Sequence, residues 1–513
     1  MIKMDAKPSE LDESSIGKII KCWGKLIHSV STAKANLFWL SDGLKKLKCL
    51  EFSSSSFEFQ AGAMLNIVGL LQQENNELVL KAKGISKVPE SLVPEKEGIY
   101  EKNISETTKC QAQFMVRSEI LKSMEKSFIK AGQAVKRAVY EFRPIIIKHH
   151  ADCDGYSGGI ALERSIKKLI LDFHQDESSA WFYIKRSPMQ VPFYDISDAI
   201  IDLGSILDEG EKYGRKLPLV VVVDNGSSEQ DIDALKLFSA NGVQTIIIDH
   251  HVPAKDDSGF TAGLCSLAHI NPFTVGGNSS ITAGMLSVEL ANIIGMDERS
   301  STVPLAALSG ISDKSSGEEF KQYLKLAEDT GMGKERLERL AKVVDFFSYN
   351  NRRFESRSLV EGLFGKSTKV QENLIAVLLP IVEKKEKSRL KSLLHAHKTQ
   401  QVGSNKEITI ASVNIEQSTI TGTFPLIGKS VGLLFDLLKE NHEKLVVTGI
   451  GNSMITVRMK NINKDINELC RALAQEMPHA NIEGGGHPQA GSVKFIPSEK
   501  EKVFKRLIEW VEE

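Results

Sequence analysis

Residues 144–155 read Pro-Ile-Ile-Ile-Lys-His-His-Ala-Asp-Cys-Asp-Gly, a short β-branched run that passes directly into histidine and acid. The same transition recurs in residues 219–226 (Leu-Val-Val-Val-Val-Asp-Asn-Gly) and in residues 245–251 (Thr-Ile-Ile-Ile-Asp-His-His). Short apolar runs of this kind are typical of buried strands in a parallel sheet. Because the chemistry of open α/β sheets collects at the carboxyl ends of the strands, the three transitions predict one functional edge.

The side chains at these strand ends predict a metal site. His150, Asp152 and Asp154 alternate along an extended segment, so all three can face one cavity. Asp224 and the pair His250–His251 follow the other two strands. So much acid in one place is unstable unless cations lie among it. Oxygen and imidazole donors suit Mn²⁺, Mg²⁺ or Zn²⁺, and two such ions could bind a phosphoryl group.

Length and composition restrict the alternatives. A chain of 513 residues predicts two to four domains. Its 65 basic and 66 acidic residues nearly balance, so any nucleic-acid surface must be local. The six cysteines are scattered without a CxxC pair, which argues against a disulfide framework and a zinc ribbon. No signal-type stretch or membrane-spanning run is found, and we expect a cytoplasmic protein.

The pattern of elements predicts an α/β chain that begins with a small all-β unit. We expect this all-β unit to be an OB-like barrel, followed by a doubly wound parallel sheet and a smaller C-terminal α/β domain. Ala199–Leu203 is an additional strand candidate. The expected segments are a flexible tail (1–14), an OB-like nucleic-acid-binding domain (15–90), a connecting helical segment (91–143), the parallel-sheet catalytic domain (144–345), a helical connector (346–397) and a substrate-binding domain (398–513).

The N-terminal unit has the composition of a single-strand binder. Between Ser15 and Pro89 ten lysines face five acidic residues, a surplus of five positive charges. Trp23, Phe38 and Trp39 could stack on bases while the lysines neutralise phosphates. The alternative is that most of these aromatic side chains belong to the barrel core, and for any single one of them we favour that interpretation.

A glycine-rich turn near the C-terminus predicts a phosphate clamp. Gly484, Gly485 and Gly486 offer clustered backbone N–H groups, and His487 follows them directly. Arg458, on the preceding strand, can bind a phosphate through two nitrogens.

Taken in order, these motifs resemble those of the DHH phosphoesterase superfamily. The three matching motifs lie in residues 150–157 (His-x-Asp-x-Asp-Gly-x-Ser), 224–226 (Asp-Asn-Gly) and 249–251 (Asp-His-His). Gly310-Ile-Ser-Asp313 resembles the fourth motif, and residues 484–490 resemble the substrate loop of the DHH-associated C-terminal domain. The resemblance covers about residues 144–513.

The resemblance implies roles for individual residues. Two divalent cations, most often Mn²⁺ with Mg²⁺ as the alternative, would activate water, so no protein nucleophile is expected. Asp249 would orient the site, and Asp152, Asp154, Asp224, His250 and His251 would be the catalytic group. The first ion would be held by His150, Asp152 and Asp224, and the second ion would be held by Asp154, Asp224, His250 and Asp313. The substrate would be bound by His251, Arg458, Gly484, Gly485, Gly486 and His487.

A barrel in front of the catalytic domain favours one branch of the superfamily, the RecJ-like single-strand exonucleases of archaeal type. That interpretation implies DNA or RNA ends as substrate, a role in replication or repair, and GINS-like replication proteins as possible partners. Two alternatives stay open. One is an oligonucleotide or cyclic-dinucleotide phosphodiesterase, and the other is a non-catalytic nucleic-acid-binding subunit of a replication complex.

Overall fold

The first domain in the computed structural model is a closed five-stranded barrel. The structure describes residues 3–53, 57–189, 191, 193–256, 259–295, 299–351, 356–365, 368–420 and 422–513. Strand β2 pairs with both β3 and β5, and β4 runs parallel to β6, so strands β2 to β6 close on themselves. This confirms the predicted OB-like barrel. The strands are β1 (Lys3–Ala6), β2 (Ile19–Ser31), β3 (Asn36–Ser41), β4 (Lys46–Glu51), β5 (Met64–Glu74) and β6 (Glu77–Lys87).

One expectation for the N-terminal region needs correction, and for Trp23 and Phe38 the structure agrees with the favoured interpretation as core residues. Over its described part, the predicted flexible tail (1–14) is ordered, because β1 pairs in parallel with β2 and Leu11 is buried against the barrel. Trp23 and Phe38 are buried in hydrophobic cores, so neither can stack on a base. Trp39 is half-buried and lies at the contact with the catalytic domain, where its ring stacks on His28.

The second domain, which the sequence predicts to be catalytic and which is called the catalytic domain below, is built on a five-stranded parallel sheet with the order β13-β10-β9-β7-β8. Helices cover the sheet, and a short hairpin, β11 (Lys255–Asp256) with β12 (Gly259–Phe260), lies outside it. This confirms the predicted doubly wound fold. The sheet strands are β7 (Ile145–His150), β8 (Ile184–Met189), β9 (Leu219–Val223), β10 (Gln244–Ile248) and β13 (Ala268–Ile270).

Helices α1 to α12 join the barrel to the sheet and then pack around it. They are α1 (Val93–Thr107), α2 (Glu119–Ser123), α3 (Glu125–Tyr140), α4 (Cys153–His174), α5 (Ser179–Tyr183), α6 (Ile196–Tyr213), α7 (Ile232–Ala240), α8 (Thr261–Cys265), α9 (Ala283–Ile293), α10 (Arg299–Ser312), α11 (Glu318–Asp329) and α12 (Lys334–Asn350).

The strand predicted at Ala199–Leu203 is wrong, since these residues lie in α6. The Asp195 side chain caps this helix by accepting a hydrogen bond from the Ser197 N–H at 3.3 Å. Ala199, Leu203 and Ile206 are its buried residues, at the i, i+4, i+7 spacing of one helical face. The helical period therefore outweighs the β-branched composition of the segment.

The C-terminal domain is a mixed α/β unit reached through two connector helices, α13 (Arg357–Phe364) and α14 (Thr368–Ala396). Its six-stranded sheet has the order β14-β15-β16-β17-β19-β18. Among the residues described, no helix has both the length and the apolar character needed to cross a bilayer. The remaining elements are β14 (Lys398–Val402), β15 (Ile408–Asn414), α15 (Ile415–Ser418), α16 (Ile427–Leu438), β16 (Lys444–Ile450), β17 (Met454–Lys460), α17 (Ile466–Glu476), β18 (Glu483–His487), β19 (Ala490–Lys494) and α18 (Lys500–Glu512).

The glycine-rich segment predicted as a turn is an edge strand, β18, paired with β19. Its three glycines have φ of 157°, 144° and 142°, a region that is essentially restricted to glycine. A Cβ on Gly484 would lie 2.2 Å from the Ser492 carbonyl oxygen, so close pairing also excludes a side chain. Side chains occupy the outer edge of this strand, where the Gly486 N–H donates to Asn467 Oδ1 at 3.2 Å and the Gly486 carbonyl oxygen accepts from Asn467 Nδ2 at 3.0 Å.

Candidate metal centre and interdomain cleft

Three neighbouring strands deliver the predicted residues to one edge of the catalytic sheet. In the parallel register, Val223 of β9 lies beside Ile248 of β10 and His149 of β7. The residues that follow, Asp224, Asp249 and His150, therefore emerge side by side. This arrangement matches the expectation, from the sequence, that the three strand ends meet at one edge of the sheet.

Two overlapping groups of side chains form the centre. In the first, His150 Nδ1 lies 2.9 Å from Asp152 Oδ2 and 3.4 Å from Asp224 Oδ2. In the second, His250 Nε2 lies 3.3 Å from Asp224 Oδ1, 3.5 Å from Asp154 Oδ2 and 3.4 Å from Asp313 Oδ2. All six residues expected as metal ligands thus converge, with Asp224 common to both groups.

Asp224 occupies a strained and buried position. Its φ is 59°, in the left-handed region that only a few per cent of non-glycine residues adopt. Within the described part of the chain, neither its Oδ1 atom nor His250 Nε2 has a hydrogen-bond partner, although both atoms are buried. Buried polar atoms are nearly always satisfied, so these two mark a place for a missing ligand.

The tautomer of His250 is fixed by its neighbour. Its Nδ1–H donates to the Ser279 carbonyl oxygen at 3.0 Å, which leaves the Nε2 lone pair aimed into the carboxylates. Burial lowers the pKa of His250, but Asp224, Asp154 and Asp313 outweigh burial and raise it well above its usual value. The site therefore favours positive charge at Nε2.

Asp154 lies at the deepest point of the centre. Its carboxylate accepts hydrogen bonds from the Gly284 N–H at 2.7 Å, the Ala283 N–H at 3.1 Å and the Ser309 hydroxyl. Burial, followed by the charges of Asp224 and Asp313, raises its pKa well above the usual value. Asp313 is more exposed, with 22% of its side chain accessible, and partial desolvation among these groups is the main reason that its pKa rises to about 7.

A divalent cation fits this donor set. The negative charges of Asp224 and Asp313 help to raise the pKa of Asp154, and a cation among these carboxylates would remove that repulsion. The donors are oxygen and imidazole nitrogen, without a thiolate ligand, which suits Mn²⁺ or Mg²⁺ better than structural zinc. Cys153 is buried on α4 and is not part of the donor set.

Asp249 holds neighbouring residues of the centre in place through hydrogen bonds. One of its oxygens accepts from the His250 N–H at 2.8 Å and lies 2.8 Å from His251 Nδ1, and the other accepts from the Ser227 N–H at 3.1 Å. Burial raises its pKa, but these partners outweigh burial and the pKa falls below its usual value. Asp249 is therefore a charged carboxylate that orients both histidines, as the resemblance implies.

The C-terminal domain brings His487 to the centre. Its ring stacks on His251 at 5.0 Å between centroids and lies 5.2 Å from the His250 ring. Burial and the two neighbouring imidazoles lower the pKa of His487 to about 3. Arg458 of β17 is half-buried, with a guanidinium nitrogen about 3.9 Å from where a Cβ on Gly428 would lie, beside the N-terminus of α16.

A cleft of about 410 Å³ opens beside the centre, between the two domains. Asp249 and His251 border it on one side, and the Gly484–Gly486 strand borders it on the other. Gln230 bridges the walls by donating to the Gly484 carbonyl oxygen at 2.8 Å. Other lining side chains, which the sequence motifs did not single out, are Phe193, Asn467, Arg471 and Lys494.

His149, beside the first motif, and Gly155, within it, are structural. His149 is fully buried, with Nδ1 2.7 Å from the His150 carbonyl oxygen and Nε2 2.9 Å from Arg186. Gly155 lies in the first turn of α4, where a Cβ would be 2.2 Å from the His150 carbonyl oxygen. The glycine is required by this close approach of helix and loop.

Known proteins resemble this chain at several levels. The DHH family, N-terminal domain, matches residues 144–282. An uncharacterized protein of Methanocaldococcus jannaschii is 30% identical over 527 residues, which covers 96% of this chain and 68% of the relative. A solved DHH domain, described as a member of a family of ribosomal proteins, is 32% identical, with a TM-score of 0.78, over 82% of this chain and 99% of that one.

RecJ from Thermus thermophilus, solved in complex with Mn²⁺, has the same fold over a large part of the chain. Its TM-score is 0.51 at 15% identity, and the superposition covers 76% of this chain and 55% of that one.

Proposed function

This chain belongs to the DHH family of phosphoesterases, and on that premise we propose that it hydrolyses phosphodiester bonds at an end of single-stranded nucleic acid. The reaction would require two divalent cations, and Mn²⁺ is proposed in preference to Mg²⁺. The observation that carries the proposal is the pair of unpartnered buried atoms, Asp224 Oδ1 and His250 Nε2, among carboxylates that repel one another.

The proposed metal ligands are divided between two ions, and each ion corresponds to one of the two groups of side chains around His150 and His250. His150, Asp152 and Asp224 would hold one ion, and Asp154, His250 and Asp313 would hold the second together with the shared Asp224. When bound, such ions supply Lewis acidity toward a phosphoryl oxygen and lower the pKa of water. The short contacts from Asp224 to both groups support its role as the bridging carboxylate.

Substrate binding is assigned to groups on both walls of the cleft. His251 faces His487 across the domain boundary, so one phosphate could accept hydrogen bonds from both rings. The extended glycine strand lets a substrate approach the backbone closely, because none of its three residues has a side chain. Arg458 would bind a further phosphate oxygen, since its guanidinium lies beside the first turn of α16.

A replication or repair role, beside GINS-like proteins, is the corresponding proposal for the cellular context. It is supported by the archaeal-type order of domains, with the barrel in front of the catalytic sheet.

Two other functions compete with this proposal. An oligonucleotide or cyclic-dinucleotide phosphodiesterase would use the same metal centre, and the cleft of about 410 Å³ is large enough for a dinucleotide fragment. A non-catalytic binding subunit is disfavoured because every expected ligand position holds a side chain capable of binding a metal.

The product pattern on labelled strands of graded length separates these functions. Oligonucleotides of 2 to 30 residues, DNA and RNA, are incubated with Mn²⁺ after labelling at one end. Stepwise release of mononucleotides from long strands supports the proposal. Turnover restricted to dinucleotides supports the phosphodiesterase, and strand binding without cleavage in any divalent metal supports the binding subunit.

A further inference from the structure

A second cavity lies among the helices that pack around the catalytic sheet. Its volume is about 400 Å³, and its walls come from α4, α10, α12, α13, α14 and the turn between α11 and α12. None of the described residues that line it is a proposed metal ligand or a proposed substrate-binding residue. A cavity of this size is large enough for a small metabolite.

The cavity is separate from the metal centre but shares two helices with it. On α4, Arg164 lines the cavity ten residues after Asp154, which is about 15 Å along the helix. On α10, Ser301 lines the cavity twelve residues before Asp313, which is about 18 Å. Each of the two helices therefore connects a wall of the cavity to a carboxylate of the centre.

One part of the cavity wall is apolar. Leu308 and Leu337 are fully buried, and Leu340 and Phe364 are at most 5% exposed. These side chains come from three different helices and form a surface that an apolar or aromatic group could cover.

Two arginines form the polar part of the wall, and hydrogen bonds connect them. Arg164 Nη2 donates to the Phe364 carbonyl oxygen at 2.5 Å. Arg336 Nη2 donates to the side-chain oxygen of Gln371 at 2.6 Å, and Gln371 Nε2 donates to the Leu363 carbonyl oxygen at 2.6 Å. Because Leu363 and Phe364 are consecutive residues, both guanidinium groups are held at the same end of α13.

The charge of the lining favours an anion. Two arginines and no acidic residue are found among the described lining residues. Glu372, which is not part of the lining, lies 2.9 Å from Arg336 Nε, yet this buried nitrogen has no hydrogen-bond partner within the described chain. Buried donors are nearly always satisfied, so the chain alone does not complete this arginine.

The pair of arginines suits a phosphate monoester in particular. A guanidinium group can bind a phosphate through two parallel N–H groups. A phosphate monoester carries a charge of about −1.5 to −2 at neutral pH, whereas a carboxylate or a phosphodiester carries a single charge. Two cationic side chains therefore match the monoester best.

We infer that this cavity binds a small phosphate monoester with an aromatic body, of the nucleoside monophosphate class, and that its occupancy alters the metal centre. The phosphate contacts Arg164 and Arg336, and the aromatic body packs on the apolar wall. Arg164 also donates to the Ser301 carbonyl oxygen at 3.1 Å, so a ligand on this arginine acts on both α4 and α10. The Ser309 hydroxyl, directly after the lining residue Leu308, donates to Asp154 and completes the connection.

Calorimetric titration of the full chain with adenosine monophosphate in EDTA tests the site without any catalytic step. We expect Arg336→Gln to weaken binding at least tenfold, because the phosphate loses a bidentate contact. Arg339→Gln is the matched control, since Arg339 lies on the same helix, contacts Glu372 at 3.5 Å and does not line the cavity. Adenosine and inorganic phosphate should each bind at least tenfold more weakly than adenosine monophosphate.

A second variant keeps the test decisive if Arg336→Gln does not fold. Thr330 is an exposed lining residue, so Thr330→Trp should fill the cavity and abolish binding with little change in melting temperature. No binding by the wild type, or an equal loss in Arg339→Gln, would overturn the inference. Binding that is lost in Arg458→Gln and kept in Arg336→Gln would place the ligand in the interdomain cleft and would also overturn it.

Titration with Mn²⁺, with and without adenosine monophosphate, tests the connection to the centre. After correction for the Mn²⁺ that the nucleotide binds in solution, its presence should change the Mn²⁺ affinity at least threefold in the wild type and not in Arg336→Gln. Equal Mn²⁺ affinity in both conditions would overturn the effector role. Hydrolysis of a trinucleotide tests the proposed function separately: nucleotide binding without hydrolysis rejects the nuclease alone, and hydrolysis without nucleotide binding rejects the cavity site alone.

Discussion

Asp224 combines a left-handed backbone, complete burial and an unpartnered oxygen in one residue. Strain of this kind costs about 1–3 kcal/mol and persists where the surrounding structure enforces it. The Asp224 N–H donates to the Ile248 carbonyl oxygen at 2.8 Å, which holds the backbone between β9 and β10. The strain therefore places one carboxylate between two groups of metal ligands.

Replacing Asp224 with Asn should remove the response of the protein to metal. Asn tolerates the left-handed backbone and keeps the side-chain volume. It removes the repulsion with Asp154 and Asp313 but also the attraction to His150 and His250, so we expect the melting temperature in EDTA to change little. We expect the rise in melting temperature on adding Mn²⁺ to disappear, and thermal unfolding with and without Mn²⁺ measures both effects. A variant that gains as much stability from Mn²⁺ as the wild type would contradict the assignment.

At the residue level, the sequence predicts the ligands of the centre but not the groups that support them. The ligands follow strands or lie within motifs, so local patterns identify them. The donors to Asp154 come from Ala283, Gly284 and Ser309, which are 129 to 155 residues away in the chain. No local pattern encodes such contacts, and only the packing of α9 and α10 against α4 creates them.

The junction between β7 and α4 is the element on which the first motif depends. Gly155 lies where a Cβ would approach the His150 carbonyl oxygen to 2.2 Å. Gly155→Ala should therefore destabilise the protein by about 1–3 kcal/mol and weaken Mn²⁺ binding, because the loop carrying His150 and Asp152 must shift. Gly204→Ala, in the open middle of α6, is the control and should be neutral or slightly stabilising. Equal stability and metal affinity in both variants would show that the close approach is unimportant.

The aromatic junction between barrel and catalytic domain contains a half-buried histidine, His28. His28 stacks on Trp39 and on Phe142, and burial, with the nearby Lys216, lowers its pKa to about 4. His174, which stacks on Phe142, also has its pKa lowered to about 4, mainly by burial. The junction is therefore built for uncharged imidazoles.

Acid should weaken this junction. Because the folded-state pKa of His28 lies below its usual 6.5, the unfolded chain binds more protons between pH 6.5 and 4. Stability is unaffected by this group above pH 6.5 and falls as the pH drops through that window, by about 1–2 kcal/mol at pH 5. His28→Phe keeps the stacking and should show a smaller loss of melting temperature between pH 7 and 5. The exposed His395→Gln serves as control, and an unchanged pH dependence in His28→Phe would contradict this account.

At the level of elements, periodicity predicts most of the fold and fails where tertiary contacts override it. The barrel strands and the parallel sheet follow their alternating or continuous apolar patterns. The strand prediction for residues 199–203 is wrong because a capped helix with one buried face accommodates the same isoleucines. Trp39 could not be assigned from sequence, since its environment is the catalytic domain and not the barrel.

In the whole molecule, the metal centre, the cleft beside it and the barrel lie in three different places. The metal centre lies at the carboxyl edge of the catalytic sheet, the glycine strand of the C-terminal domain closes the cleft beside it, and the barrel lies on the far side. On the proposed function, this order predicts that hydrolysis needs the first two parts. The domain order was readable from sequence, but the distance between barrel and centre was not.

Release of labelled mononucleotides from a single-stranded 30-mer in the presence of Mn²⁺ tests the central claim most directly. The wild type and Asp233→Asn, an exposed aspartate on α7, should release them at equal rates. In Asp224→Asn the rate should fall by about a thousandfold or more, because both groups of metal ligands lose their shared carboxylate. Release by Asp224→Asn at the wild-type rate, or no release by the wild type with any divalent cation, would contradict the account.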